Sequence, residues 1–352
     1  MLSVSPTVRL SALQCPDGSP PPCRAPAPRA APAPPANSVA VLYFDNLSRD
    51  TADAYLADGL TEEIIDRLAA VERLRVKSRH AVRRYRGREL GDLATLGRAL
   101  GVRYFVDGSF RHAGSRMRVS VRLVRTQDAL QVWSTSYDRA AQDLLPLQEE
   151  IAMQVAASIA GRLLPAERAS LAARPTRNPQ AHDHFLRGNH YLARRSPRSV
   201  LRAIQEYEAA VRLDPAFTQA LARSALGYGI ILGWGWQLPG LPAESALARG
   251  LGTAERVIQE SPNSSEGWVA QANLLAERSP RTFDGVREAY DRAIARDPRN
   301  AELHHEYGIR LITWATIRPR LTLVAAPSPS SPSAQSRWSP SGYCTGTGVI
   351  VR

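Results

Sequence analysis

The sequence has almost no lysine, little cysteine and no long apolar run. Lys77 is the single lysine, so the net charge of +12 is carried by arginine. We read that bias as GC-rich coding rather than as a surface built for phosphate. Cys15, Cys23 and Cys344 are the three cysteines, and all lie near the chain ends. That excludes a disulfide scaffold and a cysteine-rich zinc module. No apolar stretch reaches the roughly 18 residues that a membrane-spanning helix needs. The amino end lacks a basic segment followed by an apolar run, so no secretory leader is expected. The default expectation is a cytoplasmic protein. The alternative is an extracytoplasmic one, should the parent architecture be membrane-anchored.

What is present is ample core material. The chain has 352 residues, 44% of them hydrophobic and 22% charged, which points to two or three domains. The charge is unevenly placed. Residues 1–38 carry +2 and residues 307–352 carry +5, leaving +5 for everything between. That is ordinary for a soluble protein.

Residues 1–38 hold ten prolines, several alternating with alanine. They are expected to form a disordered or extended linker. Residues 39–165 read as an α/β unit with a mixed sheet and flanking helices. Val39–Phe44 is a short apolar strand ended by the turn residues Asp45 and Asn46. Leu60, Ile64, Ile65 and Leu68 recur at helical spacing, with Thr61, Glu62 and Glu63 expected in the first turn. Leu74–Val76 is a second strand, and Leu93, Leu96 and Leu100 mark a helix stopped by Gly101. Met117, Val119, Val121 and Leu123 alternate with Arg116, Arg118, Ser120 and Arg122. That is a half-buried strand with one wet, basic face, the middle of a three-strand meander. Asp58-Gly59 is expected at a helix start, Gly108-Ser109 at a bulge, and Trp133 in the core. Leu147 to Leu163 forms a closing helix that ends at Pro165.

Residues 180–314 are helical and alanine-rich. Pro215, Pro262 and Pro298 follow Asp or Ser at intervals of 47 and 36. A period in the mid-thirties marks a tetratricopeptide array, and Gly233–Gly240 supplies an insertion for the longer interval. Ala203, Tyr207 and Ala210 fall on the small, aromatic and small positions of a second helix. Phe185, Gly188 and Tyr191 fit the helix before it. Trp268 and Ala272, then Tyr290 and Ala293, repeat the pattern, with Val286 where Ala is usual. Ala301, His304, Tyr307, Gly308 and Leu311 open a fourth repeat. This stretch resembles the tetratricopeptide repeat (TPR) family over about three and a half repeats, and so implies an all-α solenoid.

The α/β unit carries a second resemblance. Val39–Ser48, Tyr55–Ile64, Leu100–Tyr104, Asp107–Ser109 and Val132–Ser134 occur in order. They resemble the domain related to the amino-terminal domain of TolB and to FlgO. That domain often precedes tetratricopeptide repeats in the carboxy-terminal halves of bacterial winged-helix regulators, serine/threonine kinases and adenylate cyclases. The resemblance implies a binding or sensing role and no catalytic residues.

Candidate sites follow from chemistry. No Walker lysine loop, dinucleotide glycine fingerprint or zincin motif occurs, so neither an enzyme nor a cofactor is expected. His182, His184 and His190 are too poorly spaced on one helix to share a metal ion, and adjacent His304 and His305 diverge. Asn189 and Asn273 occupy equivalent positions one residue after the small residue of a first helix. There an amide can bond the backbone of an extended peptide in a groove. Asp45 and Asp58 are candidates for a small-ligand pocket near strand ends. Arg79, Arg83, Arg84, Arg86 and Arg88 surround Tyr85 and form the alternative site, a nucleic-acid patch. The favoured function is a non-enzymatic protein–protein interaction or sensing module of a bacterial signalling protein. The alternative is a fragment of a nucleic-acid-binding transcriptional regulator.

After Trp314 the repeat pattern stops. Residues 315–352 hold five prolines and no acid, and are expected to form an irregular tail. A one-base shift at Ala315–Arg320 reads Arg-Arg-Tyr-Asp-Arg-Ala, which restores a second helix, so a frameshift is the competing origin. Either way the fourth first helix is left with a bare apolar face.

Overall fold

The computed structural model describes residues 33–88, 91–278, 283–298 and 300–324. The expected proline-rich linker up to residue 32, and the expected tail from residue 325, lie outside the described residues.

Strands β1 (Ser38–Val41), β2 (Asp45–Asn46), β3 (Arg75–Val76), β4 (Tyr104–Ala113), β5 (Arg116–Arg125) and β6 (Gln131–Ala140) form one mixed sheet. Its order is β3-β1-β4-β5-β6, with β2 also pairing β4. β1 runs parallel to both β3 and β4, whereas β4, β5 and β6 form the expected antiparallel meander. The alternation in β5 does what a period of two requires. Met117, Val119, Val121 and Leu123 are buried while Arg116, Arg118 and Arg122 face solvent. Two arginines of that face are paired across strands, Arg116 with Asp138 and Arg122 with Asp107 at 2.8 Å.

Helix α1 (Ala54–Ala69) covers the sheet, joined by α2 (Arg79–Arg83), α3 (Leu93–Leu100) and α4 (Leu144–Ala160). The Asp92 side chain caps α3 by accepting from the amides of Ala94 and Thr95, and Gly101 ends it at φ +62°.

Several local expectations need correction. α1 begins well before Thr61, so Thr61–Glu63 lie mid-helix, and its first turn carries no acid. Asp58 and Gly59 are likewise inside α1. Asp45 and Asn46 form a short strand, although Asn46 still turns the chain by accepting from the Ser48 amide. The sheet irregularity falls between Leu123 and Val124, not at Gly108. A Cβ on Gly108 would meet the Ser120 carbonyl and the Phe44 ring, so the glycine serves close packing. Trp133 is half-buried. Pro165 does not end a helix but occupies the first turn of α5 (Pro165–Ala172), where its missing N–H costs nothing.

Seven further helices follow, α6 (Pro179–Ala193), α7 (Pro197–Leu213), α8 (Thr218–Gly233), α9 (Ala243–Glu260), α10 (Ser265–Leu275), α11 (Phe283–Arg296) and α12 (Ala301–Val324). Each packs on the next in sequence, and α8 also packs on α10. Asn178 and Ser196 cap α6 and α7, each with proline directly after. α12 continues to Val324, so the start of the expected irregular tail is helical. Its exposed flank carries Ile309, Leu311 and Ile312.

The sheet unit shares a core with α6–α10, while α10, α11 and α12 build a second cluster around Tyr290. One continuous apolar cluster runs from Val39 through Leu147 and Leu186 to Leu274. No described helix is long and apolar enough to cross a membrane.

Candidate functional site

The seam between α1 and α6 accounts for many of the residues that the sequence singles out. A Cβ on Gly59 would lie 2.7 Å from Leu186, so glycine there lets the two helices touch. Around this contact the Tyr55 hydroxyl donates to Asp183 at 2.6 Å, and Arg187 lies over the Tyr55 ring. Burial and Asp183 push the Tyr55 hydroxyl well above its usual value. Asp58 pairs with Arg86 at 2.8 Å and faces His190 at 3.4 Å. Asp45 is exposed on β2, and the amide of the adjacent Phe44 donates to Thr61 of α1 at 3.1 Å.

The arginine stretch is largely engaged in the same seam. Arg79 faces Glu62 at 3.5 Å, Arg83 donates to the Ala193 carbonyl at 2.9 Å, and Arg86 holds Asp58. Arg84 lies over the Tyr85 ring, and Arg88 is exposed. These bonds tie α2 and the loop after it to α1 and α6.

Beneath the seam lies a buried polar layer. Arg67 donates to the carbonyls of Leu171 and Ala173 at 2.6 and 3.1 Å. His182 beside it is 2% exposed, and its Nε2 has no partner. Burial, reinforced by the Arg67 charge, lowers its pKa to about 3, so the ring is neutral. Glu63 is pushed up to about 7 by burial. Both polar atoms of the Gln148 amide are buried without a partner.

Asn189 and Asn273 occupy matching places with matching partners. Each Oδ1 accepts from the tyrosine of the following helix, Tyr207 at 2.8 Å and Tyr290 at 2.9 Å. Asn273 also accepts from Arg310 Nε at 3.0 Å and is 5% exposed. Gly188, just before Asn189, lets Tyr207 in, since a Cβ there would run into the Tyr207 ring. Both carbonyl oxygens are thus committed to internal bonds.

Two openings lie along the face built by α8, α10 and α12. The first, a groove of about 430 Å³, runs beside Ile230, Gly233, Trp234, Asn273, His305 and Ile309, with His80 of α2 at its edge. The second, of about 500 Å³, lies between this face and the sheet unit. Asp66 and Arg79 line it from the sheet unit, and Gln219, Arg223, Glu266 and Asn300 from the helical side. Arg223 and Glu266 are 4.0 Å apart. Burial raises the Glu266 carboxyl, opposed by Arg223, while Asp66 adds to the rise. Sequence reasoning missed this second opening. Gln219 and Arg223 are one helical turn apart, but nothing local shows that they face Asp66, roughly 150 residues upstream. Among the described residues, no three His, Cys, Asp or Glu side chains cluster so as to hold a metal ion.

Comparison with known proteins gives two sequence matches. Residues 36–154 match the HilA/YgeH-like transcriptional regulator family, second domain. Over 243 residues the chain is 30% identical to "Putative adenylate cyclase 3" of Rhizobium meliloti (strain 1021). That alignment takes in 69% of this chain and 41% of the relative's length. It therefore runs past the sheet unit into the helices. Solved structures similar to part of the chain include TolB from Acinetobacter baumannii, at 18% identity, TM-score 0.28, and 37% and 30% coverage of this chain and that one. Lipoprotein GNA1162 from Neisseria meningitidis aligns at 15% identity and TM-score 0.27, with 34% and 97% coverage.

Proposed function

We propose that the chain is a non-catalytic interaction or sensing module of a signalling protein. On this reading α6–α12 form a tetratricopeptide array, and the open groove along α8, α10 and α12 holds a protein segment. The observation that carries it is the groove itself. Trp234 is 61% exposed and Ile309 49% exposed at its border. Large apolar side chains bordering a concavity are what a binding segment buries. The repeated pairing of Asn189 with Tyr207 and of Asn273 with Tyr290 supports a repeat architecture.

The sequence matches support the signalling context, because one relative bears an adenylate cyclase name and the matched family is a regulator domain. The chain spans 41% of that relative. We place any cyclase chemistry of the relative in the part that this chain does not match. The engagement of Arg79, Arg83 and Arg86 in the seam favours this reading over a nucleic-acid patch.

The test is capture from the native host with the full chain, at low and high salt and after nuclease treatment. The expected result is a salt-resistant protein partner that is lost in a Trp234→Ala, Ile309→Asp variant of unchanged melting temperature. Recovery of nucleic acid that falls away as salt rises would favour the arginine stretch instead. Retention of the partner by the variant would remove the groove from consideration.

A further inference from the structure

The opening between the sheet unit and the helical face contains two polar atoms that the fold leaves unsatisfied. Gln219 Oε1 and Arg223 Nε are both buried without a hydrogen-bond partner, and both side chains line the same cavity of about 500 Å³. Buried polar atoms are nearly always paired, because an orphan has lost its bonds to water and gained none in return. Two orphans one turn apart on one helix, each on a side chain that lines the same cavity, call for a partner that the fold itself does not supply. The amide of Gln219 is oriented by its hydrogen bond to the Glu266 carboxylate. That turns its nitrogen to Glu266 and its oxygen away, as an acceptor.

The orphans differ in kind. Gln219 offers an acceptor and Arg223 an N–H donor. Around them the charges are mixed, with Asp66 and Glu266 against Arg79 and Arg223. Burial first, and then the nearby Asp66, disfavours the ionised form of Glu266, and a bound cation beside it opposes that. A second feature adjoins the first. A smaller recess of about 90 Å³ shares Arg79, Arg223, Ser265, Glu266 and Asn300, and its remaining wall includes Leu226, Val269 and Leu303. Polar anchors beside an apolar recess are the usual anatomy of a small-molecule site, and about 500 Å³ lies in the usual size range of roughly 300–1,000 Å³.

We propose that this cleft binds a small zwitterion with an apolar side chain, an α-amino acid or the amino end of a peptide. Its ammonium group donates to Gln219 Oε1 between Asp66 and Glu266. Its carboxylate or first carbonyl accepts from Arg223 Nε, and its side chain enters the recess at Leu226 and Leu303. Because Asp66 and Arg79 belong to one unit and Gln219, Arg223 and Glu266 to the other, the ligand would bridge the two. This goes beyond the groove reading; the recess and the groove share Leu226, but Gln219 and Arg223 line only the cleft and Trp234 and Ile309 only the groove.

The experiment is calorimetric titration of the full chain with leucine, glycine, glutamate, leucyl-glycine and N-acetyl-leucine. Leucine is expected to bind more tightly than glycine or glutamate, and N-acetyl-leucine to lose at least ten-fold by removal of the ammonium. Binding of leucyl-glycine in preference to leucine assigns the site to a peptide's amino end, and the reverse order to a free amino acid. Gln219→Met removes an orphan together with the bond to Glu266, so it should leave the melting temperature nearly unchanged while weakening leucine roughly ten-fold. Arg223→Met should weaken it by at least as much. No binding by any probe at millimolar concentration, equal binding of N-acetyl-leucine, or unchanged affinity in Gln219→Met would overturn the proposal. The Trp234→Ala, Ile309→Asp variant should bind leucine normally, so failure here and failure of the groove are separate results.

Discussion

At the scale of the residue, Glu63 and His182 make the buried layer sensitive to pH in opposite senses. Glu63 has its pKa raised to about 7 by burial, helped by Asp66 and Glu62 and opposed by Arg67 and Arg223. Its unfolded value is near 4.5. The folded state therefore holds its proton longer, and stability falls as pH rises from about 4.5 through 7. His182 has its pKa lowered to about 3 from 6.5, so its contribution is lost as pH falls through that window. Glu63→Gln removes the first effect and leaves the second. The variant should match the parent near pH 4.5 and exceed it at pH 8 by on the order of 2–3 kcal/mol. Thermal denaturation across that range provides the check. Parallel pH profiles for the two proteins would show that Glu63 is solvated in both states.

At the scale of the element, the helix contacts are set by glycines whose would-be side chains point at a neighbour. Gly59 lets α1 reach α6, Gly188 lets α6 reach Tyr207, and Gly227 admits Ile204 of α7. Gly188→Ala should destabilise by about 1–3 kcal/mol, because the added methyl meets a fully buried aromatic ring that has nowhere to go. Gly252→Ala serves as the control. It is helical and has open space around its Cβ, so alanine there should be neutral or stabilising by up to about 1 kcal/mol. Equal melting temperatures for both variants would contradict this packing.

Much at this scale was legible beforehand. The alternation in β5, the Gly101 stop and the spacing of Gly188, Tyr207 and Tyr290 are local patterns, and local patterns are what a sequence displays. The start of α1 is hidden because Ala54–Gly59 has a weak apolar stripe and no acid in its first turn. Pro165 suggests a stop, although proline serves equally well in a first turn. Asn189 and Asn273 each accept from a tyrosine of the following helix. That their oxygens are taken by tyrosines depends on the partner helix, which spacing alone does not orient. The cleft at Gln219 and Arg223 was invisible for the same reason, since its walls come from distant parts of the chain.

At the scale of the whole molecule, the continuous cluster from Val39 to Leu274 makes the sheet unit and the first helices one cooperative body. Leu186, 1% exposed, sits at the junction against Gly59. Calorimetry should give a single main transition for the parent. Leu186→Asp, which places an unpaired charge in the seam, should split it in two. Two transitions already in the parent would show the units to be independent. The small-ligand cleft spans the same junction, so a ligand there would stiffen the coupling that the apolar core already provides.

The shared core also bears on how such a gene can be cut and joined. The regulator-family match ends at residue 154, inside α4, and α4 packs against both α1 and α6. A crossover placed there would hand the downstream half a raw face of Val155, Phe185 and Leu186 with no counterpart shaped to receive it. Inheritance would then favour passing the sheet unit and its first helices on together, as a single cassette. Shuffling would be confined to whatever is joined outside them.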